Sequence, residues 1–100
     1  MSSNVTAKAL LKKTTSVSRV MKSLSHPVRL KVLCSLLEGE QGVNELAQFC
    51  EISQSAMSQF LKRMKTEGIL SCRREHHFVF YKISDKKLTQ LLLAVKKIYC

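Results

Sequence analysis

The four cysteines of this 100-residue chain are its most reactive side chains; they are Cys34, Cys50, Cys72 and Cys100. A thiolate attacks sulfane sulfur or peroxide, and a second thiol resolves the product. In a reducing compartment, thiol pairing acts as a switch rather than as a permanent crosslink. Four cysteines allow several pairings, and their positions alone do not choose among them. Simple burial as small core residues remains the alternative, and it is our expectation for Cys50.

A second group of side chains is suited to binding. Ser53 is predicted to cap a helix with two distinct faces. One face is apolar and carries Met57, Phe60, Leu61 and Met64, and the other is polar and carries Ser55, Ser58, Gln59 and Lys62. Hydroxyl, amide and ammonium groups hydrogen-bond base edges and phosphates in a DNA major groove. A merely solvated face would more often carry Glu, and none occurs between Gln54 and Lys65. We include Gln54 and Arg63 in this candidate set.

The charge distribution favours an anionic partner. The formal net charge is +10, and no acidic residue precedes Glu38. Residues 62–74 hold five bases and one acid, whereas residues 38–51 hold four acids and no base. Double-stranded DNA is the favoured partner. An acidic protein or an anionic membrane surface is the alternative. The sequence has neither an apolar run of about 18 residues nor a secretory signal, so we expect a cytoplasmic protein without a membrane-spanning segment.

The elements that position these groups follow from hydrophobic periodicity. An amphipathic helix is predicted through residue 24, with a stripe of Ala7, Leu10, Thr14, Val17, Met21 and Leu24. Because a lone helix cannot bury this stripe, we expect a homodimer. A second helix is predicted from Pro27 to about Glu38, with Cys34 partly buried at the edge of its apolar arc. A short third helix follows over residues 43–50, and a final helix ends at Cys100.

Two strands, over residues 69–74 and 78–83, are predicted to form a hairpin. Arg73 and Arg74 lead into its tip, and Arg74, His76 and His77 are further candidate DNA contacts. Two short helices followed by a basic hairpin give a mainly α fold with a two-stranded β wing, a winged helix-turn-helix. We predict one domain over residues 1–100. Its parts are an N-terminal dimerisation helix (1–24), the helix-turn-helix (43–67), the wing (69–83) and a C-terminal dimerisation helix (85–100).

Three segments resemble the ArsR/SmtB repressors: LSHPVRLKVLCSLLEGE, VNELAQFCEISQSAMSQFLKRMKTEGIL and RREHHFVFYKIS. The resemblance covers about residues 20–100. It implies a homodimer built from the first and last helices, which binds an inverted-repeat operator and leaves it when an inducer arrives. The chain departs from the family at two positions. Phe60 stands where many members have His, and Glu51 stands where many have a turn Gly.

The cysteine positions are similar to those of the dithiol branch of this family, which includes BigR, SqrR and HlyU. That resemblance implies that Cys34 and Cys100 form the switch, with persulfide or oxidant bridging them and changing DNA affinity. Lys96 and Lys97 would favour the Cys100 thiolate, whereas the helix C-terminus and the adjacent carboxylate would oppose it. An HlyU-like role, in which the protein displaces a silencer and activates virulence genes, is the alternative within the branch.

A metal-responsive repressor is a further alternative. Metal-sensing members carry a Cys pair in the third helix, or Asp and His ligands along the last helix. Here the third helix offers only Cys50, and the last offers Asp85 and Cys100 without His. We therefore predict no metal and no cofactor. The sequence also lacks a Ser/His/Asp set and a phosphate-binding loop, so we do not expect an enzyme.

Overall fold

The computed structural model describes residues 6–100, which form six helices and three short strands. In chain order the elements are α1 (Ala7–Lys12), α2 (Thr14–Leu24), α3 (Pro27–Leu36), β1 (Gln41–Gly42), α4 (Val43–Cys50), α5 (Gln54–Thr66), β2 (Leu70–Glu75), β3 (Phe78–Ile83) and α6 (Lys86–Tyr99). No helix within residues 6–100 is both long enough and apolar enough to cross a bilayer.

The N-terminal region contains two helices where the sequence predicted one. Lys13 separates α1 from α2, with φ −99° and ψ 0°. The Thr14 hydroxyl donates to the Leu10 carbonyl, and the Ser16 hydroxyl donates to the Lys13 carbonyl. Hydroxyl side chains that bond the backbone in this way compete with regular helical hydrogen bonding and bend helices. Residues 1–5 of the predicted helix lie outside the described residues.

Both α3 and α5 begin at a residue whose side chain caps the helix. The His26 ring accepts a hydrogen bond from the Val28 N–H (3.2 Å) just before α3, with Pro27 at the first helical position. α3 ends at Leu36, two residues before the predicted Glu38. Ser53 caps α5, as predicted, because its Oγ accepts from the Ala56 N–H (3.1 Å).

The turn between α4 and α5 requires an uncommon backbone conformation. Glu51 ends α4 with φ 58° and ψ 43°, in the left-handed region. Glycine adopts that region without strain, which explains why a glycine is favoured at such a turn. In this chain the turn forms around a residue that carries a side chain.

The wing is an antiparallel hairpin, as predicted, extended by a third strand. β2 pairs with β3 from Leu70 opposite Ile83 to Glu75 opposite Phe78. β1 adds on the other side of β3, giving the strand order β1-β3-β2. The two-residue β1 was not predicted, because a strand of this length has no periodicity to detect. It anchors the wing beside the start of α4.

The core lies between α3, α4, α5, the start of the wing and α6. Its buried apolar residues are Val32, Leu33, Leu36, Leu46, Ala47, Cys50, Met57, Leu61, Met64, Ile69, Leu70, Leu88 and Leu92. Neither α1 nor α2 has a buried residue, and only Val20 and Leu24 of α2 pack against this core in part. The apolar faces of α3, α4 and α5 are therefore buried by other elements of the same chain.

Candidate nucleic-acid interface and thiol pair

The outer face of α5 is polar and exposed along its length. The opposite face buries Met57, Leu61 and Met64 completely, which fixes the rotation of the helix. The six candidate side chains are all exposed, and they are Gln54, Ser55, Ser58, Gln59, Lys62 and Arg63. No side-chain hydrogen bond or ion pair links any of them to another residue of the described chain. They are therefore available to an external partner. Phe60, predicted on the apolar face, is half-buried at its edge.

The two wing arginines have different environments. Arg73 Nε lies 2.9 Å from Glu40 Oε1, and its Nη1 lies 2.6 Å from Glu75 Oε2. Its guanidinium also lies 4.9 Å from the centre of the Phe80 ring. The hydrogen bonds that Arg73 donates to Glu75 and then to Glu40 raise its pKa above the ordinary value. Arg73 therefore braces the wing against the segment that precedes β1.

Arg74 points to the other face of β2, because successive side chains of a strand alternate. It is exposed and has no ion-pair partner within residues 6–100. The sequence alone grouped Arg73 with Arg74 at the hairpin tip. The Glu40 contact that distinguishes Arg73 from Arg74 joins positions 33 residues apart, and no sequence pattern predicts it.

His76 and His77 form the turn between β2 and β3, and both are exposed. His76 has a positive φ of 58°, a conformation in which His is among the tolerated residues. Phe78, the next residue, is 64% exposed, and its ring centre lies 6.4 Å from that of Phe80. Sequence reasoning did not single out this exposed aromatic. Among residues 6–100, no group of three or more His, Cys, Asp or Glu residues is arranged to hold a metal ion.

The four cysteines are unpaired and occupy three kinds of environment. Cys50 is buried in the core, as predicted, and Cys72 is half-buried in β2 opposite Tyr81. Cys34 and Cys100 are both exposed. Cys34 is thus more open than the partly buried position we expected.

Cys34 and Cys100 interact electrostatically. Although Cys34 is exposed as a residue, partial burial of its thiol raises its pKa, and the nearby Cys100 raises that pKa further. Charges act on one another over about 10 Å at moderate ionic strength, so the two thiols belong to one neighbourhood. Burial likewise raises the pKa of Cys50, with Lys31 acting in the opposite direction. At neutral pH, Cys34 is therefore mainly a protonated thiol.

A helix-turn-helix with an exposed polar second helix, followed by a basic hairpin, defines a winged helix-turn-helix protein. Comparison with known proteins identifies its family. Residues 26–71 match the family described as "Bacterial regulatory protein, arsR family". The chain is also 38% identical to the biofilm growth-associated repressor of Xylella fastidiosa, over 97% of this chain and 85% of that protein. The chain therefore belongs to the arsR family of bacterial regulatory proteins.

Solved structures agree with this assignment. The transcriptional repressor BigR from Xylella fastidiosa superimposes with a TM-score of 0.88 at 38% identity, covering 96% of this chain and 98% of that one. Reduced HlyU from Vibrio cholerae gives 0.81 at 33% identity, covering 91% and 97%. A homodimeric winged helix-turn-helix DNA-binding domain from Mycobacterium bovis gives 0.73 at 28% identity, covering 98% and 89%.

These matches place the chain in the BigR/HlyU-like branch of the family, as the sequence resemblance implied. The relatives are transcriptional regulators rather than enzymes, in agreement with the sequence-based expectation. This chain is accordingly a transcriptional regulator of the arsR family.

Proposed function

We propose that the protein is a homodimeric repressor that binds an inverted-repeat operator and is switched by persulfide or oxidant through Cys34 and Cys100. The exposed polar face of α5, held by a fully buried opposite face, is the observation that carries the DNA-binding part. The thiol pair supplies the switch. Like other bacterial regulators of transcription, the protein would act in the cytoplasm, where the DNA is.

The DNA contacts fall into two groups. Ser55, Ser58 and Gln59 have the donors and acceptors that read base edges, and Lys62 and Arg63 have the charge that binds phosphates. Gln54 lies at the N-terminus of α5, where positive helix-dipole charge also favours phosphate. Arg74, His76 and His77 would contact the neighbouring minor groove from the wing.

The apolar surface of the outer helices supports the dimer. Leu10, Val17 and Met21 are exposed on α1 and α2, and Leu93, Ile98 and Tyr99 are exposed on α6. Such a surface is stabilised when a second copy covers it, and a symmetric dimer would bring two α5 helices to the two halves of an inverted repeat. The Mycobacterium bovis relative is described as homodimeric.

The thiol chemistry has two balanced routes. With peroxide, one thiolate forms a sulfenic acid and releases water, and the second thiol then displaces a second water to give the disulfide. With an organic persulfide, Cys34 takes the outer sulfur and releases the organic thiol. Cys100 then attacks the Cys34 sulfur and releases hydrogen sulfide. Either bridge would join α3 to the end of α6 and shift the dimer-forming helices against the α5 helices.

The decisive experiment measures operator binding before and after treatment with glutathione persulfide. The operator is first selected from a random duplex library. We expect persulfide to weaken binding by the native protein and to leave Cys34→Ser and Cys100→Ser bound. Cys72→Ser is the matched control, since it removes a half-buried thiol outside the pair and should respond like the native protein. Equal loss of binding in all four proteins would refute the switch.

Base reading is tested separately with Gln59→Ala. An amide that bonds a base in two places contributes about 1–3 kcal/mol of discrimination, so operator affinity should fall about 10- to 100-fold while affinity for random duplex changes little. Gln48→Ala on the exposed side of α4 is the control. If both variants bind the operator like the native protein, α5 does not read the bases through Gln59.

An activator is the second candidate. The chain is 35% identical to the transcriptional activator HlyU of Vibrio cholerae, over 81% of this chain and 75% of that protein. The two roles predict opposite changes in transcription of a reporter placed behind the selected operator. Expression that rises when the protein is removed supports repression, and expression that falls supports an HlyU-like role.

A further inference from the structure

A groove of about 780 Å³ lies between α2, α3 and α5, and at Arg63 it borders the face of α5 that we propose to contact DNA. Its floor includes Val20 of α2, Phe60 of α5 and the buried Ile69. The His26 ring packs on this floor with its centre 5.1 Å from that of Phe60. α3 begins at the groove, and a helix N-terminus carries partial positive charge.

Some of the charged groups in the groove already bind other residues of the chain. Arg29 forms a two-point ion pair with Glu67, and its Nη2 donates to Ser23 Oγ (2.8 Å). Its side chain is only 11% exposed, so it is not available to a large external ligand. Asp85 caps α6 by accepting from the Leu88 N–H (3.1 Å).

Three cations remain at the rim of the groove. Arg19 and Lys22 come from α2, and Arg63 comes from α5. All three are exposed, and none forms an ion pair within the described chain. Because Arg29 and Glu67 neutralise each other's charge, the remaining charged residues that line the groove are these three cations and one anion, Asp85. The groove is therefore electropositive.

We propose that this rim is a second phosphate-binding site, in which Arg19 and Lys22 hold the DNA backbone beside the stretch that α5 contacts. The inference rests on the proposed function, because the duplex must already lie against α5. Arg63 follows Lys62 directly and lies at the edge of the DNA-facing side of the helix, so a strand that passes Lys62 next reaches the groove. α2 would then contact DNA as well as the second protomer.

The site makes a quantitative prediction, because phosphate contacts release counterions. Each neutralised phosphate adds about 0.9 to the slope of log affinity against log salt. Arg19→Gln/Lys22→Gln should therefore lower that slope by about 2 for each bound chain, with similar losses on operator and on random duplex. Lys8→Gln/Lys12→Gln is the matched control: it removes the same charge from neighbouring α1, whose lysines do not line the groove. It should keep the native slope.

The experiment measures fluorescence anisotropy of labelled operator between about 50 and 200 mM salt, the range in which such slopes are steep. Circular dichroism and sedimentation confirm that each variant is folded and has the native mass. Arg19→Lys/Lys22→Arg keeps the charges and should keep the slope. Phosphate-ethylation interference should show contacts beside the half-site that disappear only in the glutamine variant of α2.

The outcomes separate the two proposals. A native protein that does not bind duplex DNA even at about 50 mM salt overturns the proposed function itself. A native protein that binds as expected, with equal slopes in the native and α2 variants, overturns the groove site alone. Equal reductions in the α1 and α2 variants also overturn it, because the effect would then follow net charge rather than position.

Discussion

The helix-turn-helix and the outer helices differ in what covers their apolar residues. Leu33, Leu46 and Leu61, on α3, α4 and α5, are fully buried within one chain. On α1 and α2, by contrast, Leu10 and Met21 are more than half exposed. α6 combines both situations, since Leu92 is buried and Ile98 is not. The DNA-binding unit is therefore complete in a single chain, whereas the outer helices present a surface that a second chain would complete.

This difference gives the thiol pair its significance. Cys34 lies on α3, which belongs to the self-contained unit, and Cys100 follows α6, which extends into the outer surface. A bond between them would couple the helix-turn-helix to the outer surface that we propose a second protomer covers. Cys50, buried inside the unit, has no such position.

The largest expected effect is on core packing. Leu61→Ala removes a fully buried side chain from the inner face of α5, and such truncations cost about 2–5 kcal/mol of unfolding free energy. Leu11→Ala makes the same chemical change at a position of α1 that is 70% exposed, and it should cost much less. Urea denaturation followed by circular dichroism, at one fixed chain concentration, compares them. Equal losses would show that the two regions are not packed differently.

The sequence predicted the self-contained unit well, because its signals are local. The two faces of α5, the Ser53 cap and the buried Cys50 follow from residue spacing within a few turns of helix. The wing hairpin follows from two branched and aromatic runs around a short connection.

Features that depend on distant residues or on backbone energetics were not predictable in this way. The Arg73–Glu40 ion pair joins distant positions, and the two-residue β1 forms only because β3 offers it an edge. The break at Lys13 depends on hydroxyl hydrogen bonds that compete closely with continued helix. On a single helix Arg19 and Lys22 look like part of a solvated face, and only the packing of α5 and the start of α3 makes them line a groove.

The next effect concerns the outer surface. Ile98→Glu places a carboxylate where we expect a second protomer, and burying an unpaired charge costs several kcal/mol. The dimer dissociation constant should rise at least about tenfold, which corresponds to about 1.4 kcal/mol. Sedimentation velocity over a concentration series measures it. Gln90→Glu, at another exposed position of α6, should leave the dimer unchanged; equal weakening in both variants would argue against an interface at Ile98.

A smaller effect, which is a gain rather than a loss of folding stability, is expected at the turn of the helix-turn-helix. Glu51 has φ 58°, and a left-handed conformation costs a residue with a side chain about 1–2 kcal/mol. Glycine adopts it freely but loses more entropy on folding, so Glu51→Gly should stabilise the protein by about 0.5–1 kcal/mol.

Gln48→Gly is the matched control, because glycine in the regular part of α4 should destabilise by about 0.5–1 kcal/mol. Glu51→Ala separates charge from conformation, since it removes the carboxylate and keeps the strain. Thermal and urea unfolding should rank Glu51→Gly above the native protein and Gln48→Gly below it. A gain in Glu51→Ala equal to that in Glu51→Gly would assign the effect to charge instead.

The smallest effect tests the link between the two regions directly. Burial and then Cys100 raise the pKa of Cys34, so its thiolate is scarce at neutral pH and its alkylation by iodoacetamide should accelerate as pH rises through a midpoint above the ordinary cysteine value. Cys100→Ser removes the second cause and should lower that midpoint. The midpoint should still exceed the ordinary value, because burial remains.

Peptide mapping by mass spectrometry follows Cys34 alone, and Cys72→Ser should leave its profile unchanged. An identical profile in the native and Cys100→Ser proteins would mean that the two thiols do not sense each other, and a direct bridge between α3 and the end of α6 would lose its structural basis.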